Sequence, residues 1–198
     1  TPRPEEFIKS IAEQGYRLET AIADLIDNSI SAGADRVEVL LDTETRPFRL
    51  FLADNGNGMD EKTLKSAMRF PSSSMEEVRE KNDLGRFGLG LKTASFSQTR
   101  HFSVISRKSE SDAYAGRTWD VELLRDRGWV LKIESETEVR EIFEAYTSAS
   151  ASHLGAFDET FSAKTIVVWA GLHKFEDYIE EHNCAEVLKS ELTEITKG

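Results

Sequence analysis

The sequence predicts an α+β fold, a two-layer α/β sandwich in which helices cover one face of a mixed, mostly antiparallel sheet. Apolar residues recur at three- and four-residue steps over residues 18–34, which is the period of an amphipathic helix. Residues 37–41 and 49–53 have instead the alternating or continuous apolar pattern of a strand pair. Strand-like and helix-like segments also alternate along the rest of the chain, so we expect residues 1–198 to form a single domain.

The other elements follow in chain order. Residues 7–15 form a short amphipathic helix, and residues 89–98 form a helix that follows a glycine-rich segment. Residues 147–160 are rich in Ser and Ala and lack clear periodicity, so they are expected to be a loop or insertion. The remaining predictions are strands at 101–107, 114–121, 128–133 and 164–168, a solvated acidic helix at 136–146 and a closing helix at about 175–192.

The first candidate motif lies in the helix at 18–34. Asp24 and Asn28 are one helical turn apart, so a carboxylate and an amide project from one strip, with Asp27 beside them. Oxygen atoms of this kind can hold a hydrated Mg²⁺ ion and orient a water molecule. The alternative is a solvated acidic helix face, because charged side chains usually point to water.

The second motif, Asp54-Asn55-Gly56-Asn57-Gly58-Met59, follows a strand-like apolar run. Its glycines allow a ligand to approach the backbone closely, and a carboxylate at a strand end can accept a hydrogen bond from an exocyclic amine such as that of adenine. A plain tight turn is the alternative, since Asp, Asn and Gly are common in turns. A calcium loop is rejected because Gly56 and Lys65 occupy positions that require oxygen ligands.

The third motif, Gly85-Arg86-Phe87-Gly88-Leu89-Gly90-Leu91, runs directly into the helix at 89–98. Free backbone amides and the helix dipole favour phosphate at such a place. The spacing fits neither the dinucleotide fingerprint nor the Walker loop, which needs glycine directly before its lysine, where this chain has Leu91 before Lys92. A flexible surface loop is the alternative.

Composition bounds the classes of function. The formal net charge of −11 argues against strong nucleic-acid binding by this chain alone. A local basic stretch can face either phosphate or DNA; it consists of Arg86, Lys92, Arg100, Arg107 and Lys108. No apolar run approaches the roughly 20 residues of a membrane helix. Cys184 is the single cysteine, which excludes an internal disulfide. We expect a cytoplasmic protein, nuclear in a eukaryote, without a membrane partner.

These three motifs in this order, followed by the strand Lys164-Thr165-Ile166-Val167-Val168, resemble the GHKL ATPase superfamily of gyrase, the heat-shock chaperone, sensor histidine kinases and MutL. The resemblance covers residues 7–170. Residues 25–34 and 85–93 are most similar to the MORC and MutL branch, which acts on DNA or chromatin. The resemblance implies a Bergerat-type N-terminal domain that binds and hydrolyses ATP with Mg²⁺ and forms a nucleotide-dependent homodimer, with possible DNA contact through a longer protein.

The resemblance also implies roles for individual residues. Asn28 would be the magnesium ligand, and Asp54 would bind the adenine amine. Gly56, Gly58 and Met59 would shape the base pocket, with Thr165 completing the adenine contacts through water. The backbone of residues 85–92 would wrap the phosphates. Residues 70–92 would contain a movable lid.

One position departs from the family. Asp24 stands where relatives usually carry the glutamate that activates water, and it is one methylene shorter. Because catalysis is sensitive to displacements of about 1 Å, slow turnover is expected. Two alternatives remain open. The chain could be a non-hydrolysing, nucleotide-gated binding module, or a histidine-kinase catalytic domain, which the context of Asn28 favours less.

Overall fold

The structure is a computed structural model that describes residues 4–13, 16–70, 89–154 and 161–182. Its helices are α1 Pro4–Ala12, α2 Leu18–Ser31, α3 Glu61–Met68, α4 Leu89–Gln98, α5 Val121–Arg127, α6 Glu136–Leu154 and α7 His173–His182. Its strands are β1 Val37–Asp42, β2 Arg49–Asp54, β3 His101–Ser106, β4 Ala115–Asp120, β5 Lys132–Ile133 and β6 Thr165–Ala170. None of the helices described here is both long and apolar enough to cross a membrane.

The six strands form one sheet in the order β1-β2-β6-β3-β4-β5. Every neighbouring pair is antiparallel. The last strand in sequence, β6, therefore lies between β2 and β3. Its residue Thr165 is paired with Asp54 of β2 on one side and with Ser106 of β3 on the other. Three side chains that are distant in sequence thus meet at one end of the sheet.

Both faces of the sheet are covered. Alternate residues of a strand point to opposite faces, so β2 sends Leu50 and Leu52 to one side and Phe51 and Ala53 to the other. The first pair packs in a large core with apolar residues of α1 to α5, and the second pair packs in a smaller core with residues of α6. All four β2 side chains are buried.

The predicted α+β class and antiparallel sheet are confirmed, but the arrangement differs in two details. Within the described residues the sheet is wholly antiparallel rather than mixed, and α6 covers the face that was expected to lack helices. The continuous apolar run Leu50-Phe51-Leu52-Ala53 explains the second cover, because a strand that is apolar at every position must bury both of its faces.

The loop predicted at 147–160 is wrong over residues 147–154, which continue α6. Tyr146, Ala149 and Ser150 are buried at helical steps on the face toward the sheet. The Tyr146 hydroxyl donates a hydrogen bond to Glu38 Oε2 at 2.7 Å, and Ser150 Oγ lies 3.4 Å from the same atom. Small and polar side chains on the buried side concealed the helical period. Residues 155–160 lie outside the described residues.

Three other element boundaries differ from the predicted ones, and helix caps explain two of them. The strand expected at 114–121 ends at Asp120, whose carboxylate accepts hydrogen bonds from the backbone of Glu122 and Leu123 and begins α5. Gly128, with φ +76°, ends that helix, so the strand expected at 128–133 is reduced to β5. The closing helix begins at His173, two residues before its predicted start, and its predicted part beyond residue 182 lies outside the described residues.

Candidate functional site

Asp54 is the last residue of β2, and its carboxylate is held in one orientation. The side chain is 5% exposed. Oδ2 accepts a hydrogen bond from Ser29 Oγ at 2.9 Å, and Oδ1 accepts one from the backbone N–H of Gly56 at 2.9 Å. Burial raises the pKa of the Asp54 carboxyl, and these two hydrogen bonds oppose part of the rise. Each oxygen retains lone-pair capacity, so a ligand donor can still be accepted.

Ser29 was not singled out from the sequence, yet it links α2 to this carboxylate. It lies on the buried side of α2 with Ala21, Ile22 and Leu25. A small polar residue among apolar ones on a core-facing stripe requires a hydrogen-bond partner. That pattern is the signal that could have found it.

The loop after β2 makes close backbone contacts that exclude larger residues. The N–H of Asn57 donates to the carbonyl of Ala32 at 2.8 Å, which ties the loop to the end of α2. A Cβ on Gly56 would lie 2.9 Å from the carbonyl oxygen of Ala32. Gly58 has φ +60°, and a Cβ there would lie 1.9 Å from the carbonyl oxygen of Arg107. These close backbone contacts explain why positions 56 and 58 require glycine. The role of the two glycines in the base pocket stays a prediction.

Replacing Gly58 by alanine is expected to destabilise the domain by roughly 2 kcal/mol or more, because the new methyl group meets a backbone atom and the φ angle disfavours a side chain. Chemical denaturation measures this change. Gly90→Ala is the matched control, since among the described residues no atom lies within 4 Å of a Cβ on Gly90 and alanine favours helix. Equal stability of the two variants would contradict the assigned contact.

A hydroxyl pair closes the same end of the sheet. Thr165 Oγ1 and Ser106 Oγ are 2.8 Å apart, and Ser106 Oγ accepts the backbone N–H of Met59 at 2.9 Å. Ser106 thus joins the loop after β2 to β3 and β6. The structure brings Asp54, Met59 and Thr165 together, as the family resemblance implied. Ser106 was missed because nothing in its local sequence distinguishes it from an ordinary strand serine.

Asp24 and Asn28 lie on the solvent side of α2. Asn28 is exposed, and Asp24 is half-buried. The hydroxyl of Tyr16 donates a hydrogen bond to Asp24 Oδ2. The amide oxygen of Asn28 and the carboxylate of Asp24 are hard oxygen donors, which suit a Mg²⁺ ion that keeps several of its own waters. The residue types therefore fit the predicted metal.

The third motif is only partly described. Gly85, Arg86, Phe87 and Gly88 lie outside the described residues, so their predicted phosphate contacts stay predictions. Leu89 begins α4, Gly90 is exposed, and Leu91 packs against the large core. The backbone at the start of α4 is thus the described part of the predicted phosphate segment.

The side chain of Lys92 has a structural position. It is 2% exposed, and Nζ donates to the carbonyl oxygens of Ala67 at 2.8 Å and Arg69 at 2.7 Å. Burial lowers the pKa of Lys92 to about 8. The ammonium group therefore ties α4 to the end of α3, and the expectation that the side chain of Lys92 belongs to a basic surface facing phosphate or DNA is wrong. The predicted contact of its backbone with phosphate stays a prediction.

The antiparallel sheet carries α2 and α4 side by side on one face, and a buried aspartate ends the strand beneath α2. This arrangement is the one that the resemblance to the GHKL superfamily implies. The family model described as "Histidine kinase-, DNA gyrase B-, and HSP90-like ATPase" matches residues 16–151, more than half of the chain. The chain belongs to this family. Membership supports ATP binding and hydrolysis.

Curated relatives confirm the predicted branch. The chain is 35% identical to the DNA mismatch repair protein MutL of Chlorobaculum tepidum over 102 residues, which is 50% of this chain and 16% of that protein. It is 29% identical to MutL of Chlorobium phaeobacteroides over 121 residues, 60% of this chain and 19% of the relative. It is 31% identical to the ATPase MORC2B of Mus musculus over 94 residues, 46% and 9% of the two chains. The aligned regions span less than one fifth of these relatives.

Proposed function

We propose that this chain binds ATP with Mg²⁺ and hydrolyses it to ADP and phosphate. The observation that carries the proposal is the buried Asp54 carboxylate, held by Ser29 and Gly56 beneath the helix that bears Asp24 and Asn28. One helix thereby supports a base-binding carboxylate on its buried side and a catalytic pair on its open side.

Asp54 accounts for recognition of adenine. Its two oxygens are oriented by hydrogen bonds from α2 and from the following loop, so accepting the adenine amine requires little rearrangement. A hydrogen bond to a buried carboxylate is stronger than one between neutral groups. Met59 and Thr165 border the same position, and Thr165 would contact the base through water.

Asp24 and Asn28 account for hydrolysis. Asp24 would accept a proton from the attacking water as the bond from water oxygen to the γ-phosphorus forms and the bond to the bridging oxygen breaks. Asn28 would hold the Mg²⁺ ion, which when bound neutralises charge on the phosphates. The amides at the start of α4, together with the backbone of residues 85–92, would hold the phosphate oxygens.

Assembly and biological role are also part of the proposal. Nucleotide binding would favour a homodimer, and the domain would act as the motor or switch of a longer DNA- or chromatin-related protein. The movable lid predicted within residues 70–92 would take part, but residues 71–88 lie outside the described residues. Relatives that carry the name DNA mismatch repair protein support this role. Contact with DNA would come through the longer protein, because the net charge of this chain is −11.

Calorimetry with a non-hydrolysable ATP analogue tests the binding site. We expect micromolar affinity with Mg²⁺ and much weaker affinity when EDTA removes the ion, because Asn28 alone cannot offset the phosphate charge. The guanine analogue is the matched ligand, since it lacks the exocyclic amine at the adenine position. Absence of binding, or equal affinity for the two bases, would contradict the site. Binding with nucleotide-dependent dimerisation but no phosphate release would support the non-hydrolysing module instead.

A further inference from the structure

A hydrogen bond from Tyr16 to Asp24 is the feature of the site that the roles above do not use. Tyr16 precedes α2 by two residues, and its hydroxyl donates to Oδ2 of Asp24. Among the described residues, Oδ1 of the same carboxylate accepts no hydrogen bond. Within the described part of the chain the two oxygens of Asp24 are therefore unequal: Oδ2 is hydrogen-bonded to Tyr16, and Oδ1 has no such bond.

The position of the Tyr16 hydroxyl is fixed by the fold. Gln98, at the end of α4, donates from Nε2 to the backbone carbonyl of Tyr16 at 2.9 Å. The ring of Tyr16 packs against the large core, and the side chain of Gln98 is buried. Tyr16 is thus held from α4 while it holds Asp24 on α2, so the helix that follows the glycine-rich motif is linked to the catalytic carboxylate.

The hydroxyl keeps its proton under ordinary conditions. The hydrogen bond to Asp24, burial of the ring and the charge of Asp24 all raise the pKa of Tyr16. Tyr16 therefore stays a hydrogen-bond donor at neutral pH, and it does not compete with Asp24 for the proton of the attacking water.

We propose that Tyr16 is a positioning residue for hydrolysis: it binds Asp24 Oδ2 and so presents Oδ1 to the attacking water. The inference rests on the proposed function. In the step, a water proton moves to Oδ1, the water oxygen bonds to the γ-phosphorus, and ADP departs with the electron pair of the broken bond. The proton of Tyr16 stays in place. An aspartate that is otherwise free to rotate loses that freedom before the reaction rather than during it.

Tyr16→Phe removes the hydroxyl and keeps the ring. We expect kcat to fall about tenfold while KM for ATP and the affinity for the non-hydrolysable analogue stay within about twofold, because the hydrogen bond acts on the catalytic group and not on the ligand. Steady-state phosphate release and calorimetry give these values. A kcat equal to that of the unaltered chain would overturn the inference.

Tyr146→Phe is the matched control. Tyr146 also donates its hydroxyl to a carboxylate, Glu38, but on the opposite face of the sheet. The Tyr146→Phe variant lacks a hydroxyl that donates to a carboxylate, as Tyr16→Phe does. We therefore expect its stability to change and its kcat to stay the same. If both variants lose kcat equally, the effect of Tyr16→Phe is structural and the positioning role is wrong.

A second background tests whether Tyr16 acts through Asp24. Asp24→Glu moves the carboxylate one methylene farther from the backbone, away from the place where Tyr16 holds it. The effect of Tyr16→Phe should therefore shrink from about tenfold to less than about twofold in that background. An undiminished effect would overturn the inference, because it would show that Tyr16 acts elsewhere.

Titration of Tyr16 separates this inference from the proposed function. The difference in tyrosinate absorbance between the unaltered chain and Tyr16→Phe follows Tyr16 alone, and its raised pKa should fall when Asp24 is changed to Asn. No fall would show that the contact is absent and would overturn the inference even if ATP is hydrolysed. A fall without any hydrolysis would overturn both the positioning role and the proposed hydrolysis and leave Tyr16 with a structural contact.

Discussion

Replacing Asp24 by asparagine is expected to abolish ATP turnover and leave ATP binding nearly intact. The amide has almost the shape of the carboxylate but cannot accept the proton of the attacking water, and loss of a general base costs about 100-fold or more. It keeps an oxygen that can accept the hydrogen bond from Tyr16. Phosphate release measures turnover, and calorimetry with the non-hydrolysable analogue measures binding.

Asp27→Asn is the control for charge on the same helix. Asp27 is exposed and lies three residues after Asp24, so its replacement changes the net charge equally without changing the proposed base. Its turnover should stay within about twofold of the unaltered chain. Hydrolysis by Asp24→Asn at the unaltered rate would show that another group activates the water.

Replacing Asp54 by asparagine should weaken ATP binding by about tenfold or more, which is ~1.4 kcal/mol. The amide has one acceptor oxygen where the carboxylate has two, and each carboxylate oxygen already accepts one hydrogen bond, from Ser29 or from Gly56. Its NH₂ group would face a donor, either in the protein or on the base. Calorimetry measures the affinity, and preference for adenine over guanine should fall with it.

Asp42→Asn is the control for loss of a buried carboxylate. Asp42 is buried at the end of β1 next to the start of β2, away from Asp54, and accepts hydrogen bonds from Arg49 Nη2 and Thr45 Oγ1, both at 2.7 Å. Its hydrogen bonds to Thr45, Arg49 and the backbone of Glu44 and Thr45 outweigh burial and lower its pKa. The variant should lose stability and keep its ATP affinity. Unchanged affinity of Asp54→Asn would sink the adenine assignment.

Local patterns predicted the parts of this molecule that depend on neighbours in sequence. The helical spacing of Leu18, Ala21, Ile22 and Leu25 predicted α2. The apolar run that ends directly before Asp54 predicted β2. The strip with Asp24 and Asn28 follows from helix geometry alone. The family resemblance implied that Asp54 and Thr165 would contact the same base, and the register of β2 and β6 places them opposite each other.

Contacts between distant residues could not be predicted in the same way. Ser29, Ser106 and Tyr16 acquire their roles only when α2, β3 and the segment before α2 come together, and each residue type is common in unrelated settings. The length of α6 escaped because Ala and Ser on its buried side fit closely against the sheet without an apolar period. These contacts and the length of α6 depend on tertiary packing, which cannot be predicted from the local sequence pattern.

The place of β6 in the sheet has a consequence for biogenesis. On a growing chain β2 can pair with β1 and β3 can pair with β4, but the strand that lies between β2 and β3 is complete only when residue 170 has been synthesised. Ser106 and Thr165 are 59 positions apart, and such distant pairings form late and slowly. A nascent chain that stalls before β6 would expose two unpaired strand edges, which are prone to aggregation. The nucleotide site would therefore form in a single late step, when β6 enters the sheet. Nucleotide binding would then indicate that the sheet is complete.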